Sequence, residues 1–230
     1  EAPTDISLSN ASVAENAGSN ATVGTLSTTD PEGGAMTYTI TAGGTDFNIS
    51  GSTLRATNSF DYEGTNSYSV TVRVTDGGSL TYDETFTINV TDVNEAPTDI
   101  TLSNASVAEN AGADATVGSL STTDPEGGAM TYTITAGGTD FNISGSTLRA
   151  TNSFDYEGTN SYSVTVRVTD GGSLTYDETF TINVTDVNEA PSDITLSNAS
   201  VAENAGADAT VGTLSGTDPE ADAITYTITA

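Results

Sequence analysis

Residues 68–75 read YSVTVRVT. Tyr68, Val70, Val72 and Val74 alternate without a break with Ser69, Thr71, Arg73 and Thr75. A period of two places the four large apolar side chains on one face of an extended strand and the polar ones on the other. The alternation recurs on both sides of this stretch. Upstream, Met36, Tyr38 and Ile40 alternate with Thr in MTYTIT; downstream, Phe86, Ile88 and Val90 alternate with Thr85, Thr87 and Asn89. Three further segments carry Ile6 and Leu8, Val23 and Leu26, and Phe47 and Ile49, and Leu54 follows a Gly51 turn. Turn residues punctuate the runs: Asp30 to Gly34 (DPEGG), Gly43-Gly44, Gly51, and Asp76 to Gly78. Seven short segments so spaced predict an all-β, antiparallel Greek-key β-sandwich. With no Trp and no Cys pair, the antibody-type signature is missing and other Ig-like sandwich families stay open.

The pattern repeats. EAPTDI opens at Glu1, returns at Glu95 and returns as EAPSDI at Glu189, a period of 94 residues. Residues 1–94 and 95–188 differ at four positions only: Ser7/Thr101, Ser19/Ala113, Asn20/Asp114 and Thr25/Ser119. This period is too long for a solenoid unit and suits a self-contained sandwich. The expected division is 1–94, 95–188 and an incomplete third copy, 189–230, with the first strands only. The repeats should run end to end, because VTDVNEAPTDI contains no flexible Gly/Ser linker. The 42 residues of the third copy cannot bury a sandwich core. Its apolar residues Val211, Leu214, Ile224, Tyr226 and Ile228 should have no partner sheet. We expect a slice of a longer array, or completion by strands of another molecule.

Composition narrows the function. Thirty-two Asp and Glu face four Arg, giving a formal charge of -28, and there is no His, Cys or Lys. Thiolate and imidazole chemistry is excluded, and with it any Cys/His zinc site. Nucleic acid and anionic membrane surfaces are poor partners for such a charge. The natural counter-charges are metal cations. Acids scattered over the surface would suit solubility or high salt instead. Asp5, Asp46, Asp83 and Glu84 fit that description and receive no role.

Most of the other acids are grouped. In the first repeat they are Glu15 in VAEN, Asp30 and Glu32 in DPE, Asp61 and Glu63 in FDYE, Asp76 in TDGG, and Asp92 and Glu95 with Asn94 in DVNEAP. Carboxylates so grouped repel one another unless a cation intervenes. Ca²⁺ accepts six to eight oxygens in irregular geometry, and Mg²⁺ suits such a cage less well. No D-x-D-x-D-G loop marks an EF-hand. Paired carboxylates also occur in glycosidases, but identical pairs in every repeat, with no insertion to form a pocket, point away from an enzyme.

The set VAEN, DPE, FDYE, TDGG and DVNEAP, in this order, resembles the calcium-binding motifs of the cadherin repeat. It looks most like the bacterial cadherin-like repeats of large surface adhesins, over essentially the whole chain. The resemblance implies calcium sites shared by successive repeats. At the first junction it implies Glu15, Asp61, Glu63, Asp92, Val93 (through its carbonyl), Asn94 and Glu95, joined by Asp124, Glu126 and Asp170. At the second it implies Glu109, Asp155, Glu157, Asp186, Val187, Asn188 and Glu189, with Asp218 and Glu220. Asp30, Glu32 and Asp76 would form half a site. The linker D-x-N-E-A-P is one residue shorter than the family's D-x-N-D-N-A-P, and Glu126 stands where the family has Asp.

The implied function is structural: an extracellular spacer or stalk of a repetitive cell-surface adhesin, stiffened by Ca²⁺. Near-identity of the copies fits a spacer, which needs length and uniform stiffness. Two rivals are a self-adhesive or glycan-binding module and a homopolymeric filament completed by strand exchange between copies.

Overall fold

A computed structural model describes residues 1–229, and they fall into two compact units, Glu1–Glu95 and Ala96–Ala230. Among the described residues there is no helix, and so none long and apolar enough to cross a membrane.

The first unit holds eight strands: β1 (Asp5–Leu8), β2 (Ser12–Ala14), β3 (Thr22–Thr29), β4 (Thr37–Ala42), β5 (Phe47–Ser50), β6 (Thr53–Ala56), β7 (Ser67–Thr75) and β8 (Thr81–Thr91). One sheet runs β1-β3-β6-β5 and the other β2-β8-β7-β4. The seven expected segments become eight because the chain changes sheet early. β1 pairs antiparallel with β3, and β2 then pairs parallel with β8 on the opposite layer. The Asn10 amide secures the crossing by donating to the carbonyls of Ser12 (2.6 Å) and Val23 (2.7 Å). Gly24 is required beneath it, since a Cβ there would stand 2.6 Å from the Asn10 carbonyl oxygen.

The alternating residues of YSVTVRVT do what their period demands. Val70, Val72 and Val74 are buried against Ile88, Val90, Val23, Leu26 and Leu54. Phe47, Phe60 and Tyr68 meet in this core as tilted and edge-on rings. Arg73 stands outward and faces Asp83 across the β7–β8 hairpin, with two guanidinium contacts of 2.7 Å. Asp83 therefore has a role after all, as does Glu84, which accepts from the Tyr82 hydroxyl at 2.9 Å.

The second unit repeats the plan with β9 (Asp99–Leu102), β10 (Ser106–Ala108), β11 (Thr116–Thr123), β12 (Thr131–Ala136), β13 (Phe141–Ser144), β14 (Thr147–Ala150), β15 (Ser161–Thr169) and β16 (Thr175–Thr185). Its sheets are β13-β14-β11-β9 and β10-β16-β15-β12. It also contains a two-stranded sheet of β17 (Asp193–Leu196) and β18 (Leu214–Thr217). Here Ile194, Leu196, Val201, Val211, Leu214, Tyr226 and Ile228 are exposed.

Candidate metal centre

The first and second repeats each bury the acid of their VAEN motif. Glu15 and Glu109, 2% exposed each, follow the short strands β2 and β10 in the sequence VAEN. In the first unit the Glu15 carboxylate accepts from the Tyr62 N–H (2.8 Å) through one oxygen and from the Val93 N–H (2.7 Å) through the other. Glu109 repeats this with Tyr156 and Val187, both at 2.7 Å. Such charge-assisted bonds make a buried carboxylate tolerable. They also tie the FDYE turn and the segment after the last long strand to one anchor, which collects the acids of both motifs.

The result in the second unit is a group of four. Glu109, Glu157, Asp186 and Glu220 each present a carboxylate oxygen, and these atoms all lie within 4.8 Å of one another. Glu220 sits between two demands. Its Oε1 accepts from the Glu189 N–H at 2.8 Å, while its Oε2 is buried without a hydrogen-bond partner. A buried acceptor left this way is costly unless a cation fills the gap. The Glu157 carboxyl is held above its usual range: a hydrogen bond with its own backbone pulls it down, but desolvation and the charges of Glu109, Glu220 and Asp186 outweigh that. An all-oxygen set of this kind fits a hard divalent cation.

Glu15, Glu63 and Asp92 of the first unit make the corresponding arrangement, their oxygens within the same 4.8 Å. Asp61 and Asp155 lie outside these close groups, and each accepts from a glycine N–H of its own turn, Gly64 at 3.2 Å and Gly158 at 3.1 Å. Asn94 and Asn188 bond the Glu95 and Glu189 carbonyls at 3.1 and 3.0 Å. The side chains of Glu95 and Glu189 accept from Asn16 and Asn110. These two asparagines were not singled out in the sequence. Their signal was present in VAEN, since Asn tolerates the left-handed backbone found there, with φ of 54° and 55°.

A second acidic cluster lies in the DPE and TDGG turns. In the second unit Asp124 has a buried Oδ2 without a partner, and Asp170 is buried. Burial first, and then the Glu126 charge, raise the Asp124 carboxyl above its ordinary value; a backbone bond with Gly127 opposes this and Asp170 adds to it. Asp30 likewise keeps one buried oxygen without a partner. Its other oxygen accepts from the Glu32 N–H at 3.0 Å, and Glu32 bonds the amino group of Glu1. Asp76 folds back over its own turn, and Asp218 accepts from the Asp222 N–H at 3.1 Å.

Comparison with known proteins agrees with this chemistry. The cadherin domain model matches residues 9–91 and 103–185, well over half of the chain. Protocadherin Fat 2 of Mus musculus is 33% identical over 152 residues, which is 60% of this chain and 4% of that protein. Protocadherin gamma-A10 of Pan troglodytes is 31% identical over 150 residues, 60% of this chain and 16% of that protein. The chain thus spans only a small part of the curated relatives it matches. Among solved structures, extracellular cadherin domains 3–6 of protocadherin gamma B2 superpose with a TM-score of 0.65 at 20% identity, over 94% of this chain and 56% of that one. Domains EC1-2 of human protocadherin-24 give 0.64 at 18% identity, over 81% of this chain and all of that one. At these identities the structural likeness speaks for the fold, and the family match carries the assignment. This chain belongs to the cadherin domain family, whose members are extracellular, non-enzymatic adhesion modules.

Proposed function

We propose that the chain is a Ca²⁺-stiffened spacer segment of a repetitive cell-surface adhesin, divided into repeats 1–94 and 95–188 and a partial third copy, 189–230. One observation carries this reading. Four carboxylates meet within 4.8 Å with no cationic side chain among them, and one oxygen of Glu220 is buried without a partner. In this reading Ca²⁺ is held there by Glu109, Glu157, Asp186 and Glu220, supported by Asp155, Val187, Asn188, Glu189 and Asp218. The repeat period carries the same assignment to Glu15, Asp61, Glu63, Asp92, Val93, Asn94 and Glu95, with Asp124, Glu126 and Asp170. Asp30, Glu32 and Asp76 make the matching half site. Each junction would take two or three ions.

The ions work by cancelling repulsion. Without them, acids drawn together by Glu15 and Glu109 push apart, and the linkers bend. With them, neighbouring repeats are held as one stiff unit. Extracellular modules of this kind bind with Kd of roughly 10⁻⁴–10⁻³ M, so tenfold excess calcium adds about 1.4 kcal/mol per ion. Small-angle scattering tests this directly. After EDTA treatment, added CaCl₂ should raise the maximum dimension and rigidity of the whole chain and then saturate. A shape indifferent to calcium would reduce these acids to surface charge.

A second reading, a filament completed by strands of a neighbouring copy, draws on the exposed apolar residues of 189–229, with Ile194 at 66%. Growth of mass with concentration would favour it, and a constant monomer would not.

A further inference from the structure

We propose that Asn110 is a positioning residue for the linker after β16: its side chain clasps Glu189 and holds residues 187–189 to the repeat without metal. Asn16 and Glu95 make the same clasp in the first unit. Both asparagines donate through Nδ2 to Oε1 of their glutamate. Neither glutamate belongs to the groups whose oxygens meet within 4.8 Å. The Glu189 carboxylate therefore has a task apart from that of the four acids, and a neutral amide defines it.

Asn110 is itself held by the core. It follows the buried Glu109, and its N–H donates at 3.2 Å to the carbonyl of Phe154, which is 6% exposed. Its backbone is left-handed, with φ of 55°, a conformation that Asn adopts far more readily than most residues. Two adjacent residues thus grip the linker at two points. Glu109 accepts from the Val187 N–H at 2.7 Å, and Asn110 donates to the side chain of Glu189. The Glu189 N–H is also taken, by Glu220 at 2.8 Å, and the Asn188 side chain bonds the Glu189 carbonyl at 3.0 Å. A hydrogen bond to a carboxylate is of the stronger, charge-assisted kind. Here it keeps Glu189 in place against repulsion from Glu220, whose carboxylate sits on its own N–H.

The residue type matters twice. An Asp at 110 can keep the left-handed turn, as Asp114 (φ 64°) and Asp208 (φ 61°) do elsewhere in the chain. Ionised, it has no proton to donate and repels Glu189. Glycine keeps the turn and offers no side chain at all. In the calcium reading, residues up to Glu189 stay with their repeat when metal is removed, and bending falls beyond them. That consequence rests on the calcium reading. The clasp does not, so it is measured in EDTA, where a failed calcium titration leaves its outcome untouched.

Hydrogen exchange of the whole chain in EDTA reads the clasp at the Val187 and Glu189 amides. Peptides spanning the two linkers differ in mass through Thr98 and Ser192, so the unaltered Asn16–Glu95 linker is an internal control. Asn110→Gly and Asn110→Asp should each speed exchange in the second linker about tenfold, the scale of one hydrogen bond to a charged group, and leave the first unchanged. Circular dichroism should show the fold intact in both. Glu189→Gln added to Asn110→Asp should restore slow exchange, because donor and acceptor have changed places. Added to Asn110→Gly it should restore nothing, since no partner remains. Alone it should change little, because its amide oxygen still accepts from Asn110. Unchanged exchange in both Asn110 variants would overturn the proposal. So would rescue of both by Glu189→Gln, which would reduce the effect to charge repulsion, or rescue of neither.

Discussion

Residues 95–122 and 189–216 are almost the same sequence in two different situations. Ile100 is 2% exposed and its counterpart Ile194 is 66%; Leu120 is 4% exposed and Leu214 is 43%. Pro97 is buried and Pro191 exposed. Both segments still form the antiparallel pair of strands, β9 with β11 and β17 with β18, in the same register. The local pattern therefore suffices to make the strands. Burial needs a facing sheet, which β10, β16, β15 and β12 supply in 95–188. The acidic turn behaves differently from the core: Glu220 reaches the carboxylate group from a segment with no core of its own. The core of this unit and its carboxylate group thus draw on different segments of the chain.

The sharpest way to break this comparison is a matched pair of truncations. Leu120→Ala removes a buried side chain and should cost about 2–5 kcal/mol. Leu214→Ala removes an exposed one and should change stability by no more than about 0.5 kcal/mol. Thermal unfolding of the whole chain would show the first as an early transition for residues 95–188 and the second as no change. Equal effects would mean that 189–229 is packed after all. A second pair concerns the anchoring acid. Glu109→Ala leaves the Tyr156 and Val187 N–H groups unanswered and should cost about 2–3 kcal/mol, whereas its exposed counterpart Glu203→Ala should cost close to nothing. Hydrogen exchange at Tyr156 and Val187 would report the loss locally.

Acidity gives the smallest effects, and they divide by sign. Glu157 and Asp124 titrate above their ordinary values in the folded chain. A carboxyl raised on folding binds protons more readily in the native state. Their contribution in EDTA should therefore destabilise at neutral pH and be relieved as pH falls toward the carboxylate range. Asp83 and Asp177 are lowered, chiefly by hydrogen bonds from Arg73 and Arg167. Their small stabilisation is present above the ordinary Asp value and lost as pH falls through the lowered one. Denaturant midpoints measured across pH 7 to 3 should show the first trend in EDTA. Calcium should reverse it, because protons then compete with the ion.

Much of this was legible in the sequence, and what was missed shares a cause. Strict alternation in residues 68–75 marks the core face, and the grouped acids include those that the fold brings together, because both signals are local. The strand Ser12–Ala14 is not legible because three residues are too few to show a period. The Arg73–Asp83 pair depends on hairpin register, which the intervening turn sets and neither residue announces. The role of Glu15 as an anchor, spending both oxygens on Tyr62 and Val93, depends on which segments meet beside it. Sequence motifs marked the acids as a set, and the fold divides that set into buried anchors and exposed carboxylates such as Glu63 and Glu157.

The central claim is that the group of Glu109, Glu157, Asp186 and Glu220 holds calcium. The most direct measurement is calorimetric titration of the EDTA-stripped whole chain with CaCl₂, beside the variant Glu220→Gln. Saturable binding in the micromolar-to-millimolar range is expected, with at least one site lost or weakened about tenfold in the variant, or about 1.4 kcal/mol. Absence of binding in the parent chain, or identical isotherms for parent and variant, would contradict it.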